Sequence, residues 1–217
     1  VIVAKMDLGS LLSPPESSAA NWSWVLLAEL LRNLCGFAHA LNARLRNEDE
    51  REAARPWLAR ADAISPHNVC DGILREIGEH CSRLAAQQQI SEWRYNLLEQ
   101  RLVGLTEVQA TCERIKGTPL PFPYTLLLHR TIYIFCLLLP FALAEPLGWL
   151  APLFTTIVGY TFFGLDAIGN ELEDPFGRDE NDLPTDAMVR TVERDVLAGL
   201  GEQQLPPALL PVGYVLS

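Results

Sequence analysis

Two apolar stretches, each long enough to cross a lipid bilayer, stand almost back to back between residues 124 and 165, and few folds accommodate that arrangement. A hydrocarbon layer ~30 Å thick needs about 20 predominantly apolar residues in helical form. Tyr124 to Ala144 supplies that length, with His129 and Arg130 close to its first end, and Pro146 to Leu165 follows as an uncharged run. Only "AEPLG" joins them, so the chain has to reverse sharply, and spans are expected at about 124–144 and 147–168. The competing reading is a soluble hairpin of buried helices, since 131–144 alone suits a core helix. Basic residues flank the pair on one side: Arg114, Lys116 and Arg130 precede the first span, Arg178 and Arg190 follow the second, and the connector has none. That asymmetry places both flanks in the cytoplasm. Trp149 is the aromatic residue best placed for the far interface.

The remainder is helical in pattern and much more charged. Residues 1–21 read as an irregular leader, with "GSLLSPPESSAAN" rich in Ser, Pro and Ala and free of periodicity. Residues 22–117 read as a cytosolic helical bundle. Leu27, Leu30, Leu31, Leu34, Ala38, Leu41 and Leu45 recur at helical spacing from Trp24 to Arg46, and Glu29, Arg32, Arg44 and Arg46 argue against a span there. A short charged helix over 48–61 is interrupted by Pro56. Ser65-Pro66 signals the start of a helix running to about Gln87. Ser91 opens another, whose apolar positions are Trp93, Leu97, Leu98, Leu102, Leu105, Val108, Cys112 and Ile115. Residues 118–170 hold the two spans. Residues 171–217 form an acidic turn and a C-terminal segment, with a helix from Asp186 to about Leu200 capped by Thr185.

Charge and motif content exclude several activities. With 17 basic against 27 acidic residues the formal net charge is -10, so nucleic acid is not an expected partner. Cys35, Cys70, Cys81, Cys112 and Cys136 show neither CxxC nor CxxH spacing and read as reduced thiols packed in helices. His39, His67, His80 and His129 are scattered without an HExxH pattern, and no Walker loop, GxGxxG or GxSxG occurs. No enzymatic activity is expected; a Mg²⁺-dependent transferase acting on a diphosphate would need a second Asp-rich motif and more spans.

Two local features remain as candidates for a site. Seven carboxylates lie between Asn170 and Met188, and closely spaced oxygen ligands suit a hard cation such as Ca²⁺, although the spacing is not that of an EF-hand. A solvated acidic turn at the membrane surface explains the same residues. His129 and Arg130 at the entrance to a span either mark an ion path or snorkel to the interface.

"ERIKGTPLPFPYTLLLHRTIYIFCLLLPFALAEPLGW", followed by "FFGLDAIGNELEDPFGRDENDLP", resembles the bestrophin family, in particular its bacterial branch. "FAHALNARLR" and the helices up to Cys112-Glu113-Arg114 extend the resemblance from about residue 25 to near the C-terminus. It implies an all-α membrane protein: a homopentameric ion channel around one central pore, each subunit giving four membrane helices and a helical cytosolic region. The implied location is the cell membrane, multi-pass, with most of the chain cytoplasmic; for a bacterial member this is the inner membrane. Implied partners are further copies of the chain, the lipid bilayer and small inorganic ions, with chloride-like anions expected to pass. A cation-preferring channel and a non-conducting scaffold fragment are the alternatives. The resemblance matches Leu120 to a pore constriction at the cytosolic end. It also aligns Asp179 and Asp182 with a calcium-binding cluster of animal members, where Arg178 replaces the leading acid; apart from that Ca²⁺ no cofactor is implied. The family's first two spans have no counterpart in residues 1–23, so the chain looks like a bestrophin lacking its N-terminal hairpin.

Overall fold

A computed structural model describes residues 18–61, 64, 67–118, 121–171 and 173–211, with side chains from Leu27 onward except that of Phe122. Among the described residues every regular element is helical. The helices are α1 (Ser18–Leu45), α2 (Glu50–Ala54) running into a 3₁₀ turn (Arg55–Trp57), and α3 (Val69–Ala86). Then come α4 (Glu92–Gly117), α5 (Phe122–Leu147), a second 3₁₀ turn (Gly148–Leu150), α6 (Ala151–Glu171) and α7 (Thr185–Gly199). The chain divides into two compact units, residues 1–114 with 183–217 and residues 115–182. The C-terminal helix therefore belongs with the first helices, and the acidic turn belongs with the apolar hairpin.

In the first unit α1 is the central element, contacting α2, α3 and α7. Its inward face carries Leu31, Cys35, Phe37, Ala40, Ala43 and Leu45, all buried. Gly36 shares that face because its neighbour comes close: a Cβ there would stand 2.9 Å from Leu58 Cδ2. Val69, Ile73 and Ile77 of α3 fill the core against Phe37 and Ala40, and Val196 of α7 closes a smaller cluster with Leu31 and Cys35. Burial pushes the Cys35 and Cys70 thiols up to about 12 and the Cys81 thiol to about 11, with Glu193, Glu50 and Glu99 respectively adding to it.

The helix ends are fixed by identifiable groups. Asn68 accepts from Asp71 N at 3.0 Å, and the remote Glu50 carboxylate accepts from Val69 N at 3.1 Å, so two of the otherwise orphaned N–H groups of α3 are satisfied. Glu50 also pairs with Arg44, which reaches Glu113 as well, tying α1, α2, α3 and α4 to one charge cluster. The C-termini of α1, α3 and α7 close alike. Glu48 N donates to Ala43 O, Gln89 N to Leu84 O and Glu202 N to Leu197 O, with Asn47, Gln88 and Gly201 at positive φ. These are Schellman caps, two of them built without glycine.

Three expectations about elements shift. Ser65 and Pro66 lie outside the described residues, and α3 takes Asn68 as its N-cap. Thr185 is the first residue of α7 rather than its cap; Pro184 holds that place, and the buried Thr185 hydroxyl has no bond to the helix N-terminus. The apolar positions of α4 occupy two faces. Tyr95, Leu98, Leu102 and Leu105 pack on the core, whereas Trp93, Val103 and Val108 are exposed, because their angular positions on a 3.6-residue helix fall elsewhere.

The second unit is dominated by α5 and α6, of 26 and 21 residues, or roughly 39 and 31 Å at ~1.5 Å per residue. Tyr133 meets Phe163 and Phe135 meets Phe162, each edge-on at 5.3 Å, so the two helices run antiparallel. Gly148, at φ +50°, ψ −120°, makes the reversal in a conformation that side-chain-bearing residues rarely adopt.

Candidate functional site

Hairpins of this kind are decided by what their outer surface meets. The most apolar 18-residue window between Pro123 and Glu171 is only 6% buried, and Leu137, Leu138, Phe141, Leu153 and Tyr160 all point outward. Three threonine hydroxyls along the helices are answered within them, while the buried Thr155 hydroxyl has no partner. Thr131, Thr156 and Thr161 donate their hydroxyl protons to Leu127 O, Pro152 O and Ile157 O at 2.8–3.0 Å. Such back-bonding satisfies these three donors without water, which suits a lipid environment. A buried-core hairpin does not fit these surfaces. The protein is a membrane protein.

Polarity is distributed along the hairpin axis. The turn end carries Trp149, 97% exposed, and the neighbouring Leu150 and Leu153. The open end gathers charge. His129 Nε2 lies 2.9 Å from Asp166 Oδ2, joining α5 to α6, and Asn170 Nδ2 stands 3.5 Å from the same nitrogen. Further out Thr125 Oγ1 donates to Glu173 at 3.4 Å, Lys116 Nζ pairs with both Asp174 oxygens at 2.9 and 3.0 Å, and Asn181 Nδ2 donates to Glu171 at 2.9 Å. The Lys116 hydrogen bond holds the Asp174 carboxyl below its ordinary range, with the Phe176 N–H assisting. These groups form a polar collar at one end of an apolar rod pair.

The residues singled out from sequence meet this geometry unequally. His129 is part of the collar through Asp166, a partner that sequence inspection did not supply. Arg130, the next residue, projects from the helix as an exposed side chain. Leu120 lies outside the described residues. Asp179 and Asp182 share one turn, in which Asp182 Oδ2 accepts from Asp179 N at 2.7 Å. A Cβ on Gly177 would meet that same carboxylate oxygen, so a side chain there would have to displace the Asp182 carboxylate from this turn.

One constellation went unread in the sequence. Glu29 of α1 with Glu76 and His80 of α3 places one carboxylate or imidazole donor from each residue within 4.8 Å of the others. Glu76 and His80 are four apart and therefore neighbours on one helix face. That E-x-x-x-H spacing was the available signal; the third member is too distant in sequence to be seen.

Comparison with known proteins agrees with the fold. The profile described as "Bacterial/Fungal Bestrophin protein" matches residues 16–198. A voltage-dependent anion channel-forming protein of Mesorhizobium japonicum is 45% identical over 184 residues, covering 84% of this chain and 59% of that one. A protein of the same description from Escherichia coli is 39% identical over 186 residues, covering 84% and 61%. This chain thus spans about three fifths of the length of the curated relatives it matches. A crystal structure of a bacterial bestrophin homologue from Klebsiella pneumoniae superposes with a TM-score of 0.80 at 34% identity, covering 94% of this chain and 75% of that one. With the family profile matched over most of the chain and the helical architecture shared, the chain belongs to the bacterial and fungal bestrophin family.

Proposed function

We propose that the chain is a subunit of a channel passing small inorganic anions passively through the membrane, assembled as a homopentamer. The observation that carries this reading is the outward-facing apolar hairpin with its polar collar, on a chain whose relatives are described as anion channel-forming. Passive conduction needs no catalytic residue and no cofactor, because selectivity follows from pore width and the charge of the lining. Both hairpin helices cross the bilayer, with collar and first unit on the cytoplasmic side, in keeping with the basic residues that flank the hairpin. Trp93, Val103 and Val108 on α4 are exposed apolar side chains that neighbouring copies would cover.

Leu120 is the proposed constriction and His129 with Arg130 the proposed approach to it. A cation-preferring pore is the second reading, favoured by the carboxylates Asp166, Glu171, Glu173 and Asp174 around the open end, which raise local cation concentration. Planar-bilayer recording in asymmetric KCl separates the two, using the chain alone and the chain joined behind the two further membrane helices that the family resemblance implies. A reversal potential of chloride sign supports the first reading, and one of potassium sign replaces it with the second. Silence from folded, pentameric protein of both forms leaves a non-conducting scaffold. Leu120→Ala is expected to raise conductance or alter relative permeability; currents unchanged across ions of several sizes remove Leu120 from the pore.

A further inference from the structure

The Glu29, Glu76 and His80 cluster stands apart from the hairpin, wholly within the first unit, and its chemistry is unlike that of a solvated charge patch. His80 is 6% exposed, in a bundle where buried polar groups ordinarily find partners. Its Nδ1 is buried without a hydrogen-bond partner, and its Nε2 faces Glu29 Oε1 at 3.8 Å, beyond hydrogen-bond reach. A neutral core histidine would use at least one ring nitrogen. This one faces a cavity of about 320 Å³, lined also by Glu79, Arg60 and Arg83.

We propose that Glu29, Glu76 and His80 bind a divalent first-row transition ion of the Zn²⁺ type. Two carboxylates and one imidazole form a three-ligand set that leaves a coordination position for water. The nitrogen donor and the small number of oxygens favour such an ion over Ca²⁺ or Mg²⁺, which prefer oxygen ligands throughout. Donors held ~2.0–2.2 Å from a metal stand no more than about 4 Å apart, so donors now within 4.8 Å need draw in only modestly. Glu29 and Glu76 are both part-exposed and free to rotate toward the centre. Their two negative charges balance the ion, while Glu79 offsets one of the two nearby arginines. Because Glu29 lies on α1 and the other ligands on α3, the bound ion would staple the two helices that form most of the core.

The full 217-residue chain in detergent micelles, stripped with a chelator, is titrated with ZnCl₂ by calorimetry, and bound metal is counted by elemental analysis. One Zn²⁺ per chain is expected, undisplaced by tenfold excess Ca²⁺ or Mg²⁺. Glu29→Gln and His80→Gln should each weaken it at least tenfold, whereas Glu79→Gln should retain it. Co²⁺ should give visible ligand-field absorption in the parent chain that both variants lose. Absence of Zn²⁺ binding in the parent overturns the proposal. Displacement by Ca²⁺ also overturns it, as does unchanged stoichiometry and affinity in Glu29→Gln, which would place the metal on cysteines or on the acidic turn. Among the described residues the Glu29 side chain makes no hydrogen bond, so its variant serves even if the buried His80→Gln proves unstable. Binding is read without any current, so the result is independent of whether the chain conducts.

Discussion

Ile73 and Phe141 are both large apolar residues within long helices, yet Ile73 is wholly buried in the first unit and Phe141 is 77% exposed in the second. Water organises the first case. Apolar area leaves the solvent by packing α1 against α3 and α7, and charged residues cover the remainder. In the second unit α5 and α6 pack along a seam lined by aromatic pairs, and their opposite faces stay apolar. The contrast shows one chain built for two solvents, with backbone hydrogen bonds satisfied helix by helix in both and side chains sorted by opposite rules.

The sharpest way to break that contrast is to substitute matched positions. Ile73→Ala should lower the stability of the first unit by about 2–5 kcal/mol, the range for truncating a fully buried aliphatic side chain, without affecting membrane insertion. Chemical denaturation and an insertion assay on the same variant test both halves of that statement. Leu138→Arg should do the reverse, costing about 2.5–3.5 kcal/mol of insertion free energy at the middle of α5 while leaving the first unit as stable as before. Unimpaired insertion would mean that the outer face of α5 meets protein or water instead of lipid.

Smaller effects refine the picture at the edges of the two units. Gln88 holds a left-handed conformation at the end of α3, so Gln88→Gly should stabilise the first unit by about 0.5–1 kcal/mol, read as a rise in the denaturation midpoint. The Asp174 pair with Lys116 is more exposed and contributes less, at most about 1 kcal/mol. Because the folded-state pKa of Asp174 is depressed, its contribution is present above the ordinary carboxylate value and fades as pH falls through the lowered one. Lys116→Ala should shift the Asp174 titration upward toward that ordinary value, followed by NMR of the carboxyl carbon. An unmoved titration would assign the depression to the Phe176 N–H alone.

What could be read in the sequence follows from how local the causes are. Amphipathic spacing located α1 and α3, and uninterrupted apolar length located α5 and α6, because these signals repeat every few residues. The family resemblance rested on the hairpin and the acidic turn and held for the whole fold. Partnerships between distant residues were illegible: Asp166 for His129, Glu50 for Val69 N, and Glu29 for His80 are separated by 37, 19 and 51 positions. The Schellman caps at Asn47 and Gln88 were missed for a different reason, since neither position carries the glycine that usually advertises a left-handed residue. The two faces of α4 blurred into one apolar pattern because only packing tells which stripe is inside.

The buried thiols of Cys35, Cys70 and Cys81 have a practical reach beyond packing. A thiol reacts as its thiolate, and these three are both shielded and held far from ionising at neutral pH. An alkylating reagent therefore reaches Cys70 and Cys81 only when the core between α1 and α3 opens, and Cys35 only when α7 lifts from α1, so the rate at which each is modified becomes a clock for the opening of its own part of the bundle. Run with and without metal, the same clock times how often the helices part.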